Sequence, residues 1–386
     1  MEEIKQLISV DWLSIYVDTT EFIRDPQFGF VDADYGTNVY KNVVTITHRS
    51  EEMAVLAYNP RSSVMKQGTG VLKILNNVLY LPGFAMWTNM ILHNCHIKPI
   101  SISRLDLCCD FHRFVDYDDI QQFIYDFLNV KIWKIGQAKY KIIGNQSHDN
   151  QPIVDELGNK TYQRHNFEYL RFGSNTSDIS VYLYNKSQEF KDVKRKNYIA
   201  EAWKAAGITE ERDVWRLEFS LKGNGIKFVE KDTGEAREKT LDDVINPEKR
   251  IDIYNALFWK YFEFRYNDGQ VRKDRMKRCV LLSIGQSNLL PVAISMTDET
   301  TKEQKRMISA MEKTYDELRI KAQVRNMEIE KSIQDLAEFS NLKNWHAEKF
   351  GYKYVEMEMA EQAQKDDERR RKEKTSPPPH VQSAVK

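Results

Sequence analysis

VWRLEFSLK, residues 214–222, alternates apolar and polar side chains, and that alternation sets the reading of the whole chain. Trp215, Leu217, Phe219 and Leu221 fall on one side of a strand; Arg216, Glu218, Ser220 and Lys222 fall on the other. Two further segments carry the same pattern. In ISRLDLCCDF, residues 102–111, Leu105, Leu107, Cys109 and Phe111 oppose Arg104, Asp106, Cys108 and Asp110. In SVYLYNKSQE, residues 180–189, Val181 and Leu183 oppose Tyr182, Tyr184 and Lys186. If the three strands are neighbours in an antiparallel sheet, one face is dry. The other then gathers carboxylates, arginines, lysines and tyrosines.

Any one of these polar rows is what a solvated sheet face looks like. Together they have a chemical meaning. Carboxylate oxygens suit Mg²⁺ or Mn²⁺, which keep several waters and take one or two protein carboxylates. Such an ion polarises a phosphoryl oxygen. A tyrosine hydroxyl attacks poorly at its free pKa of about 10, and a nearby cation favours its anion. Arginine grips phosphate through two parallel bonds. The set reads as transfer of a phosphodiester onto tyrosine.

Working outward, residues from about 1 to 111 read as strands and turns, interrupted by a short apolar helix over Phe84–His93. A clear amphipathic helix follows, with Ile120, Phe123, Ile124, Phe127 and Leu128 on one stripe and Asp116 or Asp118 as its cap. Gly158-Asn159 signals a hairpin over Glu156–Lys160. Helices are expected over Tyr198–Ala206, stopping at Gly207, and over Ile251–Tyr266. The expected fold is α+β: a mainly antiparallel sheet, helices on the Leu105/Leu183/Leu217 face, and an open catalytic face.

The organisation that follows is a domain over residues 1–291 with its catalytic core at about 100–225. A helical segment spans 292–345, and a charged, proline-containing tail over 346–386 is expected to be disordered. In the helical segment Ile308, Met311, Tyr315, Leu318, Ala322, Ile329, Leu336 and Phe339 form an imperfect heptad seam. That seam packs either on its own domain or on a second copy as a homodimer.

Composition narrows the class. Of 386 residues, 30% are charged and 41% hydrophobic, with zero formal net charge, which disfavours indiscriminate coating of nucleic acid but permits a local basic groove. No stretch approaches the roughly 20 apolar residues that span a membrane. The first ten residues lack the layout of a signal peptide. A cytoplasmic protein is expected. Cys95, Cys108, Cys109 and Cys279 show no CxxC spacing and read as reduced, buried thiols. His93, Cys95 and His96 lack a second ligand pair, so zinc is not expected.

At this point the chain resembles a known family, the replication initiation factors of rolling-circle plasmids and filamentous phages, which include relaxases of some conjugative elements. RLDLCCDF (104–111) is similar to the family's R-[LI]-D-L-A-x-D-F strand. Gly173-Ser174, Ser177 and then YLYNKSQE (182–189) resemble its G-[SV]-x-x-S…R-[IL]-Y-[ND]-K-x-x-E segment. WRLEFSLK (215–222) is similar to its W-R-[VIL]-E-[IFL]-x-L-K strand, and VDWLSIYVD (10–18) to a common opening. The resemblance spans roughly residues 8–285. It implies a metal-dependent enzyme that nicks and rejoins one DNA strand at an origin. Tyr184, in the Y-[ND]-K triplet, would be joined to the 5′ phosphate, freeing a 3′ hydroxyl. Asp106 and Glu218 would hold Mg²⁺ or Mn²⁺, with Asp110 as a third ligand or a group behind the ligands. Lys186 and Arg216 would contact phosphate or lower the tyrosine pKa. The family's arginine two places before the tyrosine is here Tyr182, which would stack on a base or accept the phosphate itself. Arg104 joins Tyr182 on the DNA-facing side.

The implied partners are origin DNA, single-stranded or supercoiled, and a host helicase; no membrane partner is expected. DNA backbone contacts are expected from two basic runs, Lys191, Lys194, Arg195 and Lys196, and Arg272, Lys273, Arg275, Lys277 and Arg278. The alternatives are a non-catalytic factor that binds origin DNA with the same fold, and a nuclease that uses water. A tyrosine recombinase is disfavoured because its Arg/His set is not found.

Overall fold

The computed structural model describes residues 4–293, apart from 137–138, 145–152, 155–156, 159, 162–166, 175–176, 193–195 and 224–225, together with Ala310, Met311, Lys313, Thr314 and Glu317. The chain divides into two units, Met1–Met296 and Thr297–Lys386. In the second, the five described residues are helical, and Thr314 Oγ1 donates to the Ala310 carbonyl. Most of the heptad seam and the whole tail lie outside the described residues.

The first unit is built on one ten-stranded sheet. Its strands are β1 (Gln6–Asp18), β2 (Gly29–Asp32), β3 (Tyr40–His48), β4 (Glu51–Pro60), β5 (Thr69–Ile74), β6 (Lys98–Phe111), β7 (Tyr140–Gly144), β8 (Phe167–Phe172), β9 (Ile179–Asn185) and β10 (Trp215–Lys222). Their order across the sheet is β2-β3-β4-β5-β1-β6-β10-β9-β8-β7, and every pairing is antiparallel. Among the described residues seven α-helices accompany it: α1 (Asn76–Leu79), α2 (Phe84–Asn94), α3 (Ile120–Leu128), α4 (Lys186–Asp192), α5 (Asn197–Ala205), α6 (Leu241–Ile245) and α7 (Pro247–Tyr261). The class is α+β with a large antiparallel sheet. Among the described residues no helix is long and apolar enough to cross a membrane.

Period-two alternation puts Leu105, Leu107, Leu183, Leu217 and Phe219 on the dry face, in one core with Phe123 and Phe127 of α3 and Leu257 and Phe258 of α7. Each such side chain contributes ~1.5–3 kcal/mol on leaving water. Rings bind the layers: Phe114 stacks on Phe111 at 5.0 Å and meets Phe123 edge-on at 4.9 Å. The four cysteines are buried and unbridged.

The helix limits differ in two places. The cap of α3 is Asp119, not Asp116 or Asp118, and its carboxylate accepts from the Gln121 amide. The helix expected over Ile251–Tyr266 begins earlier and ends earlier. Asn246 caps it, accepting from the amides of Glu248 and Lys249, and Pro247 sits at its first position. Phe264–Tyr266 leaves the helix to pair with Ile132–Lys134 and Arg278–Cys279 in a small sheet. Aromatic crowding there follows a strand period, not a helical one. Flanks of the expected hairpin are present, with Ile153–Val154 paired to Lys160–Thr161.

The polar face is not open throughout. A second apolar cluster, Ile199 and Trp203 of α5 with Ile208 and Val214, roofs one end of it. Tyr198 of α5 packs its ring 5.7 Å from that of Tyr80, just after α1.

Candidate functional site

Strands β6, β10 and β9 are consecutive in the sheet, so the three alternating segments lie side by side as far as Asn185; Lys186–Glu189, expected to continue the strand, instead begin α4, which takes Lys186 off the strand's polar row. Register pairs Tyr182 with Glu218 and Glu218 with Cys108; one step on, Tyr184 pairs with Arg216 and Arg216 with Asp110. Ser220 pairs with Asp106. Diagonal neighbours on one face are within reach of long side chains. Tyr184 uses that reach: its hydroxyl donates to Glu218 Oε2 at 3.0 Å.

The acids here are electrostatically linked. Burial, then the charges of Asp11 and Asp106, lift the Glu218 carboxyl to about 8 against the pull of Arg216 and the Tyr184 hydrogen bond. Burial also raises Asp106, although Arg104 and Ser220 bond to it. Arg104 forks onto Asp106 with contacts of 2.6–3.2 Å, and Ser220 Oγ donates to it at 2.6 Å. Burial and the adjacent Glu218 push the Tyr184 phenol well above its ordinary value. This phenol is therefore a poor nucleophile until a cation offsets the acids.

Arg216 and Asp110 sit under the α5 roof. Arg216 is fully buried and grips Asp110 with two parallel bonds, Nε to Oδ1 at 2.6 Å and an η-nitrogen to Oδ2 at 2.7 Å. Its remaining η-nitrogen bonds reach Asp11 at 2.6 Å and the Tyr80 hydroxyl at 2.8 Å. Trp203 Nε1 adds a third bond to Asp110, at 2.6 Å. Both oxygens of Asp110 are thus taken, and the Arg216 fork is spent on protein carboxylates. Asp110 is enclosed by the buried Arg216 and Trp203, whereas Asp106 is held by the part-exposed Arg104, and Arg216 keeps no free fork for a phosphate. Asp110 and Arg216 thus form an ion network, and Arg216 acts in the second way expected of it, its charge opposing the rise of the Tyr184 pKa.

Asp11 belongs to this network, and nothing in the local pattern signals it. A register irregularity between Val10 and Trp12 inserts Asp11 as an extra residue in β1. Burial works against its charge, but Arg216 and Lys186 outweigh that and hold it at about 2. Lys186, also buried, donates to Glu189 Oε2 at 2.6 Å and lies 5.4 Å from the Tyr184 ring centroid.

A divalent ion fits this donor set on one observation. Burial first, and then the charges of Asp11 and Asp106, raise Glu218, and a cation shared with Asp106 would relieve the charge part of that rise. Two carboxylates suffice for an ion that keeps its waters. Among the described residues no group of three or more His, Cys, Asp or Glu is placed to hold a metal.

The expected DNA contacts separate into three places. Tyr182 lies beside Tyr169, ring centroids 5.8 Å apart, on the catalytic face. Lys196 precedes α5; Lys191 lies in α4, and Lys194 and Arg195 fall outside the described residues. Arg272, Lys273, Arg275, Lys277 and Arg278 are all exposed. Lys273 sits 3.8 Å from the Trp133 ring, Lys277 5.6 Å from Tyr266 and Arg278 4.7 Å from Trp259. Their small sheet packs through Phe264 onto Phe127 and Phe172 of the dry side, so this run is across the sheet from Tyr184.

No family model matches the chain, and no curated protein matches it. Among solved structures the chain is similar to one described as the structure of a rolling circle replication initiator protein from Geobacillus stearothermophilus, at 13% identity and a TM-score of 0.39, over 71% of this chain and 92% of that one.

Proposed function

We propose that this chain is a rolling-circle-type replication initiator or relaxase that nicks and rejoins one DNA strand, with Tyr184 as the nucleophile. The observation that carries the reading is the Tyr184 hydroxyl bonded to Glu218, with Asp106 one strand further along the same face. The motifs that resemble the replication initiation factors fall on these strands.

In the forward step the Tyr184 oxygen attacks the phosphorus. The bond from phosphorus to the 3′ oxygen breaks, leaving a 5′ phosphotyrosine, and the 3′ oxygen takes a proton from solvent to become a hydroxyl. The phenolic proton already points at Glu218, 3.0 Å away. The Lys186 ammonium, 5.4 Å from the ring, favours the phenolate. Rejoining reverses the step, with the 3′ oxygen displacing tyrosine. Asp106 and Glu218 would hold Mg²⁺ or Mn²⁺, which supplies charge neutralisation at the phosphoryl oxygens. Arg216 and Asp110 fix the strand pair beneath, and Arg216 acts on the phosphate only through the field it sets.

The test is adduct formation with a pool of end-labelled single-stranded oligonucleotides of random sequence, in the presence of Mn²⁺. A protein–DNA band that survives denaturation is expected from the wild type and not from Tyr184→Phe or after chelation. Cleavage without an adduct, retained in Tyr184→Phe, would replace this reading with a water-using nuclease.

A further inference from the structure

Beside the catalytic rows the same face carries a cluster of cations that the mechanism does not use. Register sets Lys73 of β5 opposite Ser14 of β1, and Ser14 opposite Arg104 of β6. Both cations turn onto the ring of Trp12, Lys73 Nζ at 3.6 Å and the Arg104 guanidinium at 4.0 Å from its centroid. Trp12 is itself fixed by a 2.7 Å bond from its indole nitrogen to Ser14 Oγ. Its register partner is Asp106.

We propose that Lys73, held on Trp12 beside Arg104, and Lys196 at the start of α5 form a phosphate subsite that contacts the backbone of single-stranded DNA beside the nicking centre, with Arg104, already forked on Asp106, adding its charge. This rests on the nicking reading and deepens it. Bringing like charges together costs free energy unless an anion joins them. Arg104 has Asp106, but among the described residues neither Lys73 nor Lys196 forms an ion pair. The strain registers on Lys73: burial, then the charges of Arg104 and Lys196, lower its pKa. A lysine that is only a solvated surface group would be free to swing away from them. This one is part-buried and pinned on an indole, an attraction of about 0.5–2 kcal/mol.

Geometry ties the cluster to the chemistry. Same-face residues along a strand are about 6.8 Å apart, and neighbouring strands about 4.8 Å apart. Arg104 lies two strand steps across from Tyr184 (about 10 Å) and six residues along β6 from Asp110, which is level with Tyr184 (about 20 Å), so the subsite is a few extended nucleotides from the phosphate under attack. Tyr169 and Tyr182 border the same face, and unpaired bases offer their faces to such rings. A duplex offers none.

The experiment measures affinity of the full chain for fluorescein-labelled oligothymidylate between 50 and 200 mM salt by anisotropy. Lys73→Ala and Lys196→Ala should each weaken binding several-fold and reduce the slope of log K against log salt by about 0.7, the release expected per phosphate contact on a single strand. Lys73→Arg should restore both. Trp12→Leu should weaken binding by freeing both cations, whereas Lys66→Ala, at a surface pair with Asp18, should not. Thermal melts confirm that each variant is folded. Unchanged affinity and slope in Lys73→Ala and Lys196→Ala would overturn the subsite, as would equal losses on duplex DNA or failure of the wild type to bind the oligonucleotide. A chain whose binding depends on Lys73 but which never forms an adduct keeps the subsite and sinks the nicking reading.

Discussion

Tyr184 and Glu218 are diagonal neighbours on adjacent antiparallel strands, and the phenol donates its proton into the carboxylate at 3.0 Å. The residue directly opposite Tyr184 is Arg216, which is turned away to Asp110 and Asp11. The nucleophile therefore faces negative, not positive, charge on its own sheet. A cation must be added for it to ionise, and this requirement gives the predictions below their direction.

Stability should depend on pH through Glu218. Its carboxyl stands at about 8 in the folded chain against an ordinary 4.5, so the folded chain holds that proton more firmly. The sign follows: this contribution is complete below about 4.5 and is lost as pH rises through about 8. Asp11 acts oppositely, its contribution being present above 3.8 and lost as pH falls through about 2. Glu218→Gln should flatten the fall between pH 5 and 8 and raise stability at pH 8 by on the order of 2 kcal/mol, less than the full linkage value because the side chain keeps some solvent. Mn²⁺ should flatten the wild-type profile and leave the variant unmoved. Urea titrations across that range check this; an unchanged slope in Glu218→Gln would remove Glu218 as the cause.

Arg216→Met should destabilise the fold by about 3–5 kcal/mol, because it strands Asp110 and Asp11 without their counterion. The double variant Arg216→Met with Asp110→Leu should recover part of the loss. Denaturant midpoints measure both. A loss under about 1 kcal/mol combined with abolished adduct formation would instead give Arg216 a direct part in the chemistry.

The strand face was legible because alternation with period two needs no tertiary information. RLDLCCDF, YLYN and WRLEFSLK do line up, whereas KSQE turns into α4, and the dry leucines do meet helices. Alternation says which face a side chain takes and not what covers that face. Arg216 and Asp110 were read as exposed chemistry because nothing local announces that Trp203, some ninety residues from Asp110, closes over them. Asp11 was missed for a related reason: a bulge shifts the phase of β1, and a periodic reading assumes constant phase. Lys73 lies in a strand with no acidic neighbour and no motif, so only the register beside Trp12 gives it meaning. The helix expected over Ile251–Tyr266 is displaced because Asn246-Pro247 starts it early and Phe264–Tyr266 joins a sheet.

Tyr182 and Tyr184 should separate cleanly. Tyr182 pairs in register with Glu218 and lies beside Tyr169, whereas Tyr184 bonds Glu218. Tyr182→Phe keeps its ring and should retain adduct formation within about threefold, a loss under 1 kcal/mol in the barrier. Tyr182→Ala should weaken oligonucleotide binding by about 1–3 kcal/mol through lost stacking. Gel quantification of adduct and anisotropy of binding read the two effects separately. Complete loss of adduct in Tyr182→Phe would contradict the assignment.

The basic run on the far side of the sheet should serve affinity alone. Lys273→Ala and Arg278→Ala should each lower the salt slope of duplex binding by about 0.9 if each neutralises one phosphate. The fraction of bound DNA converted to adduct should not change, because these residues are across the sheet from Tyr184. A fall in that fraction at saturating DNA would mean that the run takes part in positioning the scissile strand.

The measurement that bears most directly on the central claim is the identity of the residue that carries DNA. Adduct formed with Mn²⁺ is digested with nuclease and protease, and the modified peptide is sequenced by mass spectrometry. The account predicts a 5′-phosphoryl nucleotide on the oxygen of Tyr184. A nucleotide on Tyr182 or on any other side chain, or a cleaved strand with no modified peptide, would contradict it.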